Sequence, residues 1–116
     1  MIAVIFEVWP DGEDGRRDYL GLAAALRSDL TAMDGFISVE RFQSLTDPEK
    51  ILSISFWRDE EAVAKWRQVE QHRRIQEAGR KAIFADYRLR VASVIRDYGL
   101  KDRDEAPADS KAAHGG

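Results

Sequence analysis

Two segments of this chain are apolar on both faces of an extended strand. Residues 2–9 place Ile2, Val4, Phe6 and Val8 on one side, and Ala3, Ile5, Glu7 and Trp9 on the other. Residues 50–57 set Leu52, Ile54 and Phe56 opposite Ile51, Ser53, Ser55 and Trp57. Successive side chains of a strand alternate between its faces, so each segment needs cover on both sides. A chain of 116 residues supports one domain, and a single layer of helices covers only one face of a sheet.

The remaining segments supply that layer. Pro10-Asp11-Gly12 breaks the first strand, and the polar stretch to Arg17 reads as a loop. Tyr19, Leu22, Ala23, Leu26, Leu30 and Met33 then recur at three- and four-residue steps, predicting a helix capped by Asp18 and stopped at Asp34-Gly35. Residues 36–44 alternate as a strand, with Phe36, Ser38, Glu40 and Phe42 against Ile37, Val39, Arg41 and Gln43. Thr46-Asp47-Pro48-Glu49 turns the chain into residues 50–57.

Asp59 is placed to cap a second helix, whose first turn carries Glu60 and Glu61 at the positive end of the helix dipole. Its apolar stripe is Ala62, Val63, Trp66 and Val69. From residue 70 to 84 the pattern stays helical but strongly charged, with Ile75, Ala78, Gly79, Ala82 and Ile83 as its buried candidates and a break expected at residues 70–72. Residues 87–97 form the last strand, alternating Tyr87, Leu89, Val91, Ser93 and Ile95 with Arg88, Arg90, Ala92, Val94 and Arg96.

The order β-α-β-β-α-β, with a split second helix, is the ferredoxin-like α+β arrangement: a four-stranded antiparallel sheet with both helices on one face. The other sheet face is too apolar to stay wet, so two chains are expected to pack sheet to sheet as a homodimer. Residues 99–116 carry seven charges and no aromatic or β-branched side chain. They read as a polar tail, disordered unless docked on the partner, behind a domain of residues 1–98.

Composition excludes several functions. The 18 Lys and Arg against 21 Asp and Glu give a net charge of −3, which lacks the basic footprint of a nucleic-acid binder. The absence of cysteine removes disulfides, thiolate metal sites and thiol nucleophiles. Two histidines, one of them in the tail, build no compact metal centre. The first apolar run has no basic residue before it and no cleavage site after it, and no segment is long enough to span a bilayer, so a cytoplasmic protein without membrane contact is expected.

The run Glu7-Val8-Trp9-Pro10-Asp11-Gly12, then Asp34-Gly35-Phe36, then Ser55-Phe56-Trp57-Arg58-Asp59-Glu60-Glu61-Ala62-Val63-Ala64-Lys65-Trp66 followed by His72, resembles the antibiotic biosynthesis monooxygenase (ABM) family of dimeric α+β barrels. The likeness spans residues 1–98. It implies a pocket between helices and sheet in which a monooxygenase acts on an aromatic polyphenol or quinol, the substrate itself activating dioxygen without metal or flavin. Such chemistry needs a base, a water-excluding cavity and a donor for negative charge on oxygen.

From that resemblance, His72 and Glu7 are the catalytic candidates, and Trp66, Arg88, Arg90 and Phe56 the substrate-binding ones. Trp9 and Trp57 are assigned to the dimer face. Each has a plainer reading: His72 as a solvated helix residue, Trp66 as core, and Glu7 as a cross-strand partner of an arginine such as Arg90. Six residues at about 100° each place His72 about 120° around an ideal helix from Trp66, so the two share a pocket only if the helix breaks between them.

Two alternatives stand beside the monooxygenase: a non-catalytic, small-molecule-binding or stress-related barrel, and heme binding or degradation. In the heme-degrading branch the ligand histidine follows the second tryptophan by ten residues. Here that position is Gln76, a poor iron ligand, and Glu7 stands where the branch carries asparagine.

Overall fold

A computed structural model describes residues 1–78 and 83–113. The side chains of residues 74–78 and 112–113 lie outside that description, and Gly79 and Ala82 fall outside the described residues altogether. The elements run β1 (Ile2–Pro10), α1 (Gly12–Thr31), β2 (Phe36–Gln43), β3 (Ile51–Trp57), α2 (Glu60–Ala78), β4 (Phe84–Ser93) and a single-turn α3 (Ala108–Ala113). The strands form an open antiparallel sheet in the order β2-β3-β1-β4, the ferredoxin-like α+β arrangement that the element order predicts.

Register decides which parity faces the helices. Val4 sits opposite Ser55 and Val91, Phe6 opposite Ser53 and Leu89, and Val8 opposite Ile51 and Tyr87. With Val39 and Arg41 of β2 these residues form the inner face, and Val8, Ile51 and Trp57 join Tyr19, Leu22, Leu26 and Leu30 of α1 and Ala62 and Trp66 of α2 in one core. The opposite parity forms the outer face: Ala3, Ile5, Glu7 and Trp9 of β1, Leu52, Ile54 and Phe56 of β3, Ser38, Glu40 and Phe42 of β2, and Arg88 and Arg90 of β4.

Several features differ from the sequence reading, each for a physical reason. α1 begins at Gly12, with Asp11 rather than Asp18 at its N-cap position, and residues 13–17 are helical instead of a loop. Gly12 takes φ +69°, which a side chain rarely adopts, and Glu13 and Asp14 complement the dipole of the first turn. Gly15 lets this turn press against the backbone at Ile83, where a Cβ would come within 2.8 Å of the carbonyl oxygen, and Asp11 N–H donates to that same oxygen.

β4 starts three residues early and stops at Ser93, not Asp97, because Ser93 pairs with Ile2 and β1 offers no partner beyond it. Val94 N–H adds one last bond to the Met1 carbonyl. α2 runs without the expected break through residues 70–72, since its charged residues there are solvated and leave the helical backbone undisturbed. The segment after β4 carries α3, and its hydrogen bonds tie Arg103 to Gly99 and Ser110, and Lys111 to Pro107 and Asp104.

The junction where β2 leaves α1 is fixed by an exposed ion network. Arg58 Nη1 and Nη2 donate to the two carboxylate oxygens of Asp34 at 3.0 Å each, and Arg58 Nε donates to Asp59 at 3.1 Å. Asp59 also accepts from Ala62 N–H at 2.9 Å and so caps α2 as its position predicts. Hydrogen bonding to Arg58 holds the Asp34 carboxyl below its ordinary value of 3.8. The Ala62 amide, then Arg58, do the same for Asp59, and the two carboxylates raise the Arg58 guanidinium in turn.

Candidate small-molecule cavity

The inner face of the sheet, α1 and α2 enclose a cavity of about 280 Å3, near the lower end of the roughly 300–1,000 Å3 of small-molecule sites. Its apolar wall is built by periodicity. Leu22, Leu26 and Leu30 come from one stripe of α1, Val63 and Trp66 from one stripe of α2, and Val4, Phe6 and Val39 from the inner parity of the strands. Leu89 and Val91 extend it along β4, where they are about half exposed.

Aromatic rings form two groups in or directly behind this wall. Trp57 and Trp66 stack with centroids 6.3 Å apart and planes 29° apart, and Phe36 meets Trp57 edge-on at 5.3 Å. At the other end Phe6, Tyr19, Phe84 and Tyr87 contact one another over 5.7–6.4 Å. Such tilted and stacked pairs add to burial and fix ring orientation.

Polar groups enter at defined points. Ser55 Oγ accepts from Trp57 Nε1 at 2.9 Å, which sets the indole plane. Arg41 projects from β2, donates from Nε to the Tyr19 hydroxyl oxygen at 3.2 Å, and lies with its guanidinium carbon 5.7 Å from the Tyr19 ring centroid. Ser53 stands opposite Arg41 in the register, and Arg67, Glu70 and Gln71 line the α2 side.

The sequence candidates are distributed unevenly over this geometry. Trp66 lines the cavity and is also core, being 9% exposed. Trp57 lines it too, and at 1% exposed it belongs to the inner core instead of the dimer face assigned to it. Trp9 is on the outer face, where Nε1 donates to Asp47 Oδ2 at 2.9 Å and the Lys50 ammonium lies 5.1 Å from its ring centroid.

Phe56, Arg88, Arg90 and Glu7 share that outer parity, on the far side of the sheet from the cavity. Glu7 is 3.4 Å from Lys50 and 3.5 Å from Arg90, the cross-strand contact that its position admits. His72 is exposed on the unbroken α2 and is absent from the cavity wall. The structure therefore does not bring His72 and Glu7 together. The side chain of Gln76 lies outside the described part of α2.

Arg41, Tyr19, Ser53, Ser55, Arg67, Glu70 and Gln71 are polar wall residues that the sequence does not single out as site candidates. A signal existed: Arg41 alternates in phase with Val39, so either both face the helices or neither does. Among the described residues no group of three or more His, Asp or Glu side chains is arranged to hold a metal ion, and no described helix is long and apolar enough to cross a membrane.

Known proteins share this architecture. Residues 1–78 match the family model described as antibiotic biosynthesis monooxygenase. The chain is 46% identical over 94 residues to a protein of Pyricularia oryzae named Jasmonate monooxygenase ABM, a match covering 81% of this chain and 43% of that one. It thus spans less than half the length of this curated relative. Rv0793 from Mycobacterium tuberculosis superposes with a TM-score of 0.69 at 19% identity, over 84% of this chain and 98% of that chain. PA3566 from Pseudomonas aeruginosa gives 0.65 at 18%, over 81% and 93%. MhuD, solved with two manganese protoporphyrin IX bound per active site, gives 0.69 at 14%, over 85% and 99%. At these identities the structural likeness establishes the fold.

Proposed function

The chain belongs to the antibiotic biosynthesis monooxygenase family, and from that premise we propose that it is a monooxygenase acting on an apolar small molecule held between its helices and its sheet. The observation that carries this reading is the cavity itself, with the stacked Trp57 and Trp66 at one end and polar groups of Arg41 and Glu70 in its wall. An aromatic polyphenol or quinol fits such a wall by ring stacking, with its hydroxyls at the polar points.

For that substrate class the electron balance closes without metal or flavin. Where a methylene lies between phenol-bearing rings, its two C–H bonds are replaced by one C=O bond. One atom of dioxygen is retained and the other leaves as water with the two hydrogens, and the substrate supplies every electron. The protein's part is to take up a proton, steady the anion and exclude water. Proton removal falls to Glu70, the carboxylate in the wall, while Trp66 orients the ring.

The Pyricularia oryzae relative is named for jasmonate, which makes jasmonate the second substrate to test. A two-electron donor such as NADH is added in that arm, because turning one of its C–H bonds into an alcohol with water as the other product takes two electrons from outside the substrate. Oxygen consumption with a set of hydroxyanthrones and quinols, and separately with jasmonate, checks the proposal. Turnover that falls in Glu70→Gln and stays at the wild-type level in His72→Ala and Glu7→Gln supports it. Binding without oxygen consumption by any compound leaves the non-catalytic barrel as the better account.

The second subunit belongs on the outer face. Ile5, Leu52, Ile54 and Phe56 form its centre, Phe42 is 45% exposed beside them, and Glu7 with Lys50 and Arg90 makes a charged border. An apolar centre inside a polar rim is the anatomy of a subunit interface.

A further inference from the structure

We infer that the cavity selects molecules carrying an anionic oxygen group, a carboxylate or a phenolate, and that Arg41 is the residue that receives it. This rests on the small-molecule cavity proposed above and adds a specificity determinant to it.

Arg41 is partly buried on a wall otherwise dominated by leucine, valine and aromatic carbons. Its terminal nitrogens keep contact with solvent, since neither is a buried atom without a partner. They are open to a ligand whose charge-assisted hydrogen bonds are stronger on a largely apolar wall than in bulk water. Only Nε has a hydrogen-bonding partner among the described residues, the Tyr19 hydroxyl oxygen at 3.2 Å. Among the described residues no carboxylate forms an ion pair with Arg41, in contrast to Arg17, Arg58, Arg73 and Arg90, each of which meets an Asp or Glu. The two terminal nitrogens, with four N–H groups in a planar fork, are left without a partner among the described residues, and the fork matches a two-oxygen anion.

Tyr19 makes this arrangement specific. Its ring, 5% exposed, packs among Phe6 and Phe84, so the hydroxyl oxygen that accepts from Nε has little freedom to move. That contact and the ring beneath the guanidinium fix the Arg41 plane. Tyr19 is in this sense a positioning residue. Ser53, opposite Arg41 on β3, offers a neutral hydroxyl next to the same spot. The α2 side of the wall carries the carboxylate of Glu70 as well as Arg67, whereas the β2 side carries Arg41 and no carboxylate, so an anion is favoured at the β2 side.

The test uses 1-naphthoate and its methyl ester, which present the same ring with and without charge, and 1-naphthol with 1-methoxynaphthalene as the phenolate arm, titrated above and below the naphthol pKa. Binding is read from quenching of tryptophan emission, since Trp57 and Trp66 line the cavity. Wild-type protein is expected to prefer naphthoate over its ester by about tenfold or more, the scale of a charge-assisted bidentate contact. That preference falls to near unity in Arg41→Met, survives in part in Arg41→Lys, and shrinks in Tyr19→Phe. Preference in the naphthol pair only above its pKa assigns the site to phenolates as well; its absence there confines the site to carboxylates.

Equal binding of acid and ester by the wild type, or a preference that persists in Arg41→Met of wild-type melting temperature, overturns the inference and leaves the cavity in place. If none of the four compounds quenches emission, the cavity fails as a ligand site, and this inference falls with the proposed function.

Discussion

Trp57, the last residue of β3, and Trp66, in the second turn of α2, stack at 6.3 Å, so the strand and the helix that follows it share one aromatic wall. Both indoles are buried and both line the cavity. Stability and ligand affinity are therefore coupled at this pair. Trp66→Ala is expected to lower unfolding free energy by about 3–5 kcal/mol, the range for truncating a buried aromatic. Trp66→Phe is expected to cost less and to weaken binding of aromatic ligands. Urea unfolding of the three proteins checks the order.

Gly35 enters β2 with φ +88°, and a Cβ built on it comes within 2.7 Å of Ala62 Cβ. Gly35→Ala pays about 1–2 kcal/mol for the left-handed backbone and about 1–3 kcal/mol for the overlap. Gly21 lies inside α1 with nothing within 4 Å of its Cβ position. Gly21→Ala is accordingly expected to stabilise by about 0.5–1 kcal/mol. Opposite shifts of the melting temperature in the two variants are the expected outcome.

Hydrogen bonding holds the carboxyls of Asp34 and Asp59 below their ordinary value, from Arg58 for Asp34, and from the Ala62 amide and then Arg58 for Asp59. A carboxyl whose folded pKa is depressed adds stability above its unfolded pKa and loses it as pH falls through the folded value. The destabilisation caused by Arg58→Met is thus expected to be full at neutral pH and to fade below about pH 4. Exposure leaves the network open to screening, so added salt narrows the difference too. Thermal melts of both proteins across pH and salt measure this directly.

Ile54 lies at the centre of the outer face, opposite Ile5 on one neighbour and Glu40 on the other. Burying a charge at the middle of an apolar interface is costly unless it is paired. Light scattering is expected to give about twice the 13.2 kDa chain mass for the wild type and a single chain for Ile54→Glu. A monomeric wild type removes the sheet-to-sheet assembly.

The sequence made the element order legible because period 2 and period 3.6 are both written cleanly into residues 2–9, 19–33 and 50–69. The site was less legible, and the cause is symmetry of composition. β1 and β3 are apolar on both parities, so hydrophobicity alone does not say which parity meets the helices. That choice sends Glu7, Phe56 and Arg90 outward and Arg41 inward. The end of β4 depends on the length of β1, a relation between distant segments. The start of α1 was hidden because Gly12 to Arg17 has the composition of a loop, and its helical form relies on the approach of Ile83.

On the proposed reaction, one atom of dioxygen enters a molecule held in this cavity. The most direct measurement is product mass under 18O2 with 1,8-dihydroxyanthrone as substrate, corrected for spontaneous oxidation and repeated with Ala23→Trp, which fills the cavity from the α1 side. A single labelled oxygen is expected in each product molecule, formed by the wild type and lost in Ala23→Trp of wild-type melting temperature. No oxygen incorporation above the spontaneous rate, or undiminished turnover by the filled variant, would contradict it.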